Sequence, residues 1–347
     1  MCVTRRELLE LGVTLALVAV AAVCHYSLGA VTTFVVTAIA LAALARTVGH
    51  ATEQLGSRLG SGGAGVVQSA LGNLPELFIA LFALQKGLVA VVQAALVGSI
   101  LANSILVLGI AFLAGGLKNG AQRFDSDRAQ MISTLLVLSA ATMVLPSLAH
   151  AFHTPAAAHS QALSLICAGV LLAVFVVTVP LFLKSTGEEE HAAPRWSALL
   201  TGAVLGGAGL AAAVTSDWFV SALTPAIHTL HMSQEFAGLV IVAIAGNAVE
   251  NVVGVQLAMR DRADFAISVI LNSSLQISLA LTPVIVFASL FFGTHLTLVF
   301  PTLLALVLLI AAILGALIVN DGESTWQEGA VLVGFYLVIA ASFWWGT

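Results

Sequence analysis

Gly72-Asn73-Leu74-Pro75-Glu76 and Gly246-Asn247-Ala248-Val249-Glu250 are two copies of one polar motif, G-N-x-x-E, set in otherwise apolar sequence. The second copy follows the first by 174 residues, and at that same offset Lys86 matches Arg260 and Ser99 matches Ser273. A carboxylate inside a membrane segment is costly and marks a functional position by default. Two of them at matching places in two halves point to a transporter built from internal repeats.

Of 347 residues, 60% are hydrophobic and 8% charged, and the mean hydropathy is +1.07. Soluble domains carry about 25% charged residues, so the composition implies an integral membrane protein embedded in lipid. About eleven apolar runs approach the ~20 residues a bilayer-crossing helix needs. They lie near 9–25, 29–48, 64–85, 88–115, 130–151, 161–183, 197–216, 236–259, 265–291, 296–318 and 325–346. These runs are too long and too evenly apolar for the alternating ~10-residue strands of a barrel, so the expected fold is an all-α polytopic membrane protein. Cys2, Cys24 and Cys167 have no paired spacing, which argues against a disulfide framework or thiolate metal site. No basic patch suits nucleic acid, and no cofactor motif is present.

Placing the N-terminus in the cytoplasm puts Arg5, Arg6, Arg46, Arg58, Lys118, Arg123, Arg128, Lys184, Arg195, Arg260 and Arg262 inside, and Lys86 alone outside. That segregation follows the positive-inside bias, and one missed span would scramble it. Span three, with Glu76, then runs outward, and span eight, with Glu250, runs inward. The expected organisation is an extra helix (1–28), a five-helix half (29–183), an acidic cytoplasmic linker (184–196) and an inverted five-helix half (197–347). Glu188-Glu189-Glu190 gives the linker its charge.

Lys86 follows Glu76 by ten residues and Arg260 follows Glu250 by ten, about 15 Å of helix. Basic residues at span ends snorkel to the interface, and the hydrocarbon is ~30 Å thick, so both glutamates fall near the midplane. Gly72 and Pro75 favour a helix break in the first copy; the second has Gly246 without a proline. Unwound backbone at this depth is tolerated where it lines a cavity. Its free carbonyls, with Asn73, Asn247 and the two carboxylates, form an all-oxygen set that suits a hard cation. Ser99 and Asn103 in span four, and Ser273 and Gln276 in span nine, add polar groups that serve either the site or helix–helix contacts. Glu53 and Asp217, at the ends of spans two and seven, and Glu235, at the start of span eight, are candidates for a proton or cation relay, or are solvated span-end charges.

The chain resembles the cation/proton exchanger branch of the calcium/cation antiporter superfamily. The resemblance is carried by His50-Ala51-Thr52-Glu53-Gln54-Leu55, Gly72 to Leu77 and Gly98-Ser99-Ile100-Leu101-Ala102-Asn103. In the second half it is carried by Ser233 to Gly238, Gly246 to Glu250, Asp264 and Asn272-Ser273-Ser274-Leu275-Gln276-Ile277. Asn251 stands where the family usually has His, and Asn272 where it usually has Gly. The resemblance implies exchange of cytoplasmic Ca2+ for protons, with Glu76 and Glu250 as principal ligands. Two carboxylates neutralise one Ca2+ or two protons, so competition for the same groups would itself couple the fluxes. Other exchanged ions (Na+ for Ca2+, or a monovalent cation for H+) and a cation channel are the rival readings. With neither H-E-x-x-H nor G-x-S-x-G present, an enzyme is disfavoured. A bacterial cytoplasmic membrane is the expected location.

Overall fold

A computed structural model describes residues 4–185 and 195–346, with side chains at all of these except 59–70, 179–185 and 249–250. Apolar runs become helices because a chain in hydrocarbon must satisfy every backbone N–H and C=O internally. The first helices are α1 (Arg5–Ser27), α2 (Ala30–Leu71), α3 (Leu74–Gln85) and α4 (Val89–Leu101). A π-helical turn, Ala102–Val107, joins α4 to α5 (Leu108–Asn119), and α6 (Ser126–Ala151), α7 (Ser160–Ser185) and α8 (Ala198–Leu230) follow. A short α9 (Gln234–Phe236) runs through a π segment, Ala237–Val242, into α10 (Ala243–Gly246), and α11 (Ala248–Met259) comes next. Then α12 (Ala263–Gln276) passes through a third π segment, Ile277–Leu281, to α13 (Thr282–Ala288), before α14 (Thr302–Ile318) and α15 (Trp326–Phe343). Among the described residues eight helices are long and apolar enough to cross a membrane. The bent pair Gln234–Gly246 and Asn251–Met259 makes a ninth, and Leu74–Gln85 and Thr302–Ile318 are shorter apolar helices.

Three boundaries differ from the hydropathy reading. The stretch 49–63, expected between spans two and three, is helical, and α2 continues to Leu71. Its residues are polar (His50, Glu53, Gln54, Arg58), but backbone hydrogen bonding does not require apolar side chains. Span seven, expected to stop at 216, continues as α8 to Leu230, so Asp217 lies inside a helix rather than at its end; Glu53, for its part, lies within α2. Span ten, expected from 296, becomes helical only at Thr302. Pro301 disfavours helical geometry in the residue before it, and the extended chain ahead of it is buried, with Leu298 and Phe300 both inside. Side chains satisfy that backbone: Gln93 Nε2 donates to the Thr297 and Val299 carbonyls, both at 2.9 Å. Ser147 Oγ donates to Leu298 O at 3.0 Å and accepts from Phe300 N, and Ser164 Oγ accepts from Leu298 N.

The chain forms two compact units, Met1–Ala83 with Ala173–His231, and Leu84–Leu172 with Met232–Thr347. In the first, α2 packs along α8, with Leu44 and Val48 buried against Ala208 and Ala212 and Phe34 stacked on Phe219 at 4.9 Å. Helix α1 joins α2 through polar pairs: Glu10 with Arg46 at 3.0 Å, Thr14 with Thr47 at 3.1 Å and Glu7 with His50 at 3.3 Å. The backbone entering α8 is held by α2, since Gln54 Oε1 accepts from Arg195 N and Trp196 N, and Arg58 donates to Trp196 O.

In the second unit α4 crosses the 237–242 segment at glycines. A Cβ on Gly98 would overlap the Leu239 backbone, and one on Gly238 would overlap Val91 O. Small residues let membrane helices approach this closely. Gly98→Val is therefore expected to lower stability by about 1–3 kcal/mol through overpacking, read as a lower Tm for the purified protein. Two two-residue strands, β1 (Gln122–Arg123) and β2 (Glu323–Ser324), pair antiparallel and precede α6 and α15.

Candidate functional site

Both motif copies interrupt a helix. A turn at Gly72-Asn73 separates α2 from α3, and Asn247, at φ −97° and ψ 20°, separates α10 from α11. The pieces flanking Asn247 meet at 62°, so the second copy breaks without a proline. Each downstream helix has 12 residues, and its third residue is the motif glutamate. The first turns match as well: Leu77 N donates to Asn73 O at 3.0 Å, and Asn251 N to Asn247 O at 3.1 Å. Pro75 is the second residue of α3, where its missing N–H interrupts nothing. At a helix start the glutamate meets the positive end of the helix dipole. The preceding segment ends there with carbonyls that have no partner in their own helix.

The offset of 174 extends beyond the motif. It relates the starts and ends of α3 and α11, the starts of α4 and α12, and the π turns Ala102–Val107 and Ile277–Leu281 to within a residue. It also relates Gly87 and Asp261, both at positive φ in the turns that follow α3 and α11. Helical π turns are frequent at functional sites.

Glu76 is 7% exposed, and Asn73 is buried as well. Glu250 lies in α11, but its side chain falls outside the described residues, and so does the expectation that the two carboxylates meet. In the second unit four of the expected residues converge. Asn103 Nδ2 donates to Asn247 Oδ1 at 2.9 Å and to Ser273 Oγ at 3.0 Å, and Asn247 Nδ2 donates to Ser99 Oγ at 2.9 Å. All four are buried. Asn247 Nδ2 also reaches Ala243 O at 2.9 Å, which ties the network to α10 just before the break. Asn103 Oδ1 is buried and accepts no hydrogen bond among the described residues. Such an oxygen suits a cation or a hydroxyl donor.

The other expected residues are more scattered. Gln276 is half-buried at the end of α12 and makes no hydrogen bond to the network among the described residues. Gly72 and Gly246 sit at the two breaks. Glu53 is 76% exposed and faces His50 Nδ1 at 3.7 Å, Asp217 is half-buried within α8, and Glu235 is the middle residue of α9. Of the two departures from the family pattern, Asn272 bonds back to Ser268 at 3.2 Å, outside the four-residue network. Asn251 Oδ1 is buried and unpartnered among the described residues, an oxygen next in sequence to Glu250 at a position the sequence singled out only as a departure from the family pattern. The hydroxyls of Thr52, Thr215 and Ser216 are also buried without partners among the described residues. No three His, Cys, Asp or Glu converge among the described residues.

A family model described as sodium/calcium exchanger protein matches residues 29–184 and 200–345. The Ca(2+)/H(+) antiporter ChaA of Bacillus subtilis is 33% identical over 324 residues, covering 89% of this chain and 91% of that protein. A Ca(2+)/H(+) antiporter of Synechocystis is 30% identical over 344 residues, covering 91% of each chain. Among solved structures, native YfkE superimposes with a TM-score of 0.82 at 30% identity, over 97% of this chain and 99% of that one.

Proposed function

The chain belongs to the sodium/calcium exchanger protein family, and we propose that it is a secondary antiporter that expels cytoplasmic Ca2+ in exchange for protons. Cation/proton exchange is the activity of the relatives that align along nearly the whole chain. The observation that carries the site is Glu76: a carboxylate only 7% exposed, at the start of a helix interrupted in apolar sequence, in the same helical register as Glu250. A carboxylate removed from water must be protonated or paired with a cation. Those two states are the two transported species.

Glu76 and Glu250 together neutralise one Ca2+, and two protons neutralise the same pair. Oxygens from the broken-helix carbonyls near Gly72 and Gly246, and from Asn73, Asn247 and Asn103, move the shell toward the six to eight that Ca2+ prefers. Ser99 and Ser273 orient the two amides through their hydrogen bonds. The common register of the two halves supports the repeat, and the Lys and Arg distribution supports its inversion and a cytoplasmic N-terminus. Alternating exposure then follows from movement of one half against the other. The bacterial relatives support a location in a bacterial cytoplasmic membrane.

Purified protein in sodium-free liposomes tests this reading. An imposed pH gradient is expected to drive Ca2+ against its own gradient, with countermovement of protons. Transport that requires Na+ would identify a sodium-coupled exchanger, and flux at channel rates would identify a pore.

A further inference from the structure

The helix that carries Glu250 is anchored at its far end by a residue to which no role has been assigned. The Gln122 side chain, on β1, is 3% exposed. Its Nε2 donates to Ala258 O, in the last turn of α11, at 3.0 Å, and to Asp261 Oδ1 at 2.8 Å. Asn119 Nδ2, from the end of α5, reaches the same Ala258 carbonyl at 3.1 Å. Gly115 leaves the room for this approach, since a Cβ there would overlap Gln122 Oε1 and crowd Ala258. β1 is in turn paired to β2, with Gln122 opposite Ser324.

The two halves differ here. Gly87 and Asp261 occupy the same place in their turns, at φ 73° and 60°, and each N–H donates to the carbonyl three residues earlier, at 2.9 and 3.0 Å. Glycine adopts this left-handed conformation freely, whereas aspartate does so less readily and with help from local hydrogen bonds. In the second half that help comes from Gln122, which grips both the turn and the helix end. Around Gly87 a Cβ would meet nothing within 4 Å.

We infer that Gln122 is a positioning residue for the cation site: it fixes the end of α11, and hence the placement of Glu250. A helix is stiff over the eight residues from Glu250 to Ala258, about 12 Å. Its other end is tied by Asn247 to Asn103 and Ser99. With both ends held, the third residue of α11 has a defined place, and freeing one end disperses it. This rests on the reading of Glu250 as a cation ligand.

Ca2+ flux into proteoliposomes, measured against Ca2+ concentration and pH, tests the inference. Gln122→Ala is expected to raise the half-maximal Ca2+ about tenfold, the equivalent of one net hydrogen bond, with a smaller loss of maximal rate. Asp261→Gly keeps the turn and removes one of the two acceptors, so about a threefold rise is expected with the fold intact. Gln122→Glu supplies a readout that a merely structural role would not move. Ionised, that side chain repels Asp261 and cannot donate to Ala258 O; protonated, it regains one donor. The ratio of its half-maximal Ca2+ to wild type is therefore expected to rise with pH as that carboxyl ionises, above the ordinary carboxylate range because burial and the neighbouring Asp261 both disfavour its charge. Wild-type half-maximal Ca2+ in all three variants at every pH, beside a Glu250→Gln protein that carries no flux, would overturn the latch alone. Normal flux through Glu250→Gln would overturn the site reading and the latch with it.

Discussion

Glu76→Gln and Glu250→Gln are each expected to abolish proton-coupled Ca2+ flux, with a loss of at least about 1000-fold. Glutamine keeps the volume and one oxygen but can neither carry a charge nor release a proton. With one carboxylate remaining, a bound Ca2+ keeps an uncompensated positive charge in a low-dielectric site. Even a few kcal/mol of that cost amounts to several powers of ten in occupancy, since each 1.4 kcal/mol is about tenfold. Exchange suffers as well as binding, because the proton-loaded state loses one of its two carriers. Glu76 is buried, in the first turn of α3 after the break at Gly72-Asn73. Radioactive Ca2+ uptake into proteoliposomes under a pH gradient measures the loss, and thermal stability close to wild type excludes misfolding as its cause. Normal flux by both variants would place the site elsewhere.

Asn247→Leu is expected to reduce flux about 100-fold while preserving the volume of the side chain. Asn247 accepts from Asn103, donates to Ser99 and bonds back to Ala243 O, so it organises the buried network and stabilises the end of α10 at the break. Its loss removes an oxygen and takes from Asn103 Nδ2 one of its two acceptors, leaving Ser273 Oγ. Each buried polar group that loses a partner costs about 1–3 kcal/mol, and the sum lowers both cation affinity and stability. Flux as a function of Ca2+ concentration, with a Tm measurement on the same samples, separates the two contributions. A variant with a lower Tm and wild-type half-maximal Ca2+ would limit the network to a structural role.

Much of this architecture is visible in sequence because it depends on local rules. The motif pair announced the helix breaks now seen at Gly72-Asn73 and Asn247, since glycine and asparagine inside an apolar run favour an interruption. Ser99, Asn103 and Ser273 stood out for the same reason, and the structure joins them to Asn247. Features set by distant contacts were hidden. Helix α2 continues past residue 48 because its polar turns find partners in α1 and in the chain entering α8, as with His50 and Gln54. The extended chain before Pro301 is buried because Gln93, Ser147 and Ser164, far away in sequence, supply its hydrogen bonds. Gln122 gave no signal at all, since a lone glutamine in a loop is ordinarily solvated. Gly87 and Asp261 become comparable only when the offset between the motifs is applied to backbone conformation.

The most direct test of the central claim is proton release on Ca2+ binding, measured with purified protein in weakly buffered detergent solution. Metal binding to protonated ligands expels their protons. At a pH where both glutamates are protonated, about two protons are expected per Ca2+ bound, falling to about one in Glu76→Gln if any binding survives. Saturable Ca2+ binding without proton release over the pH range of transport would contradict the account.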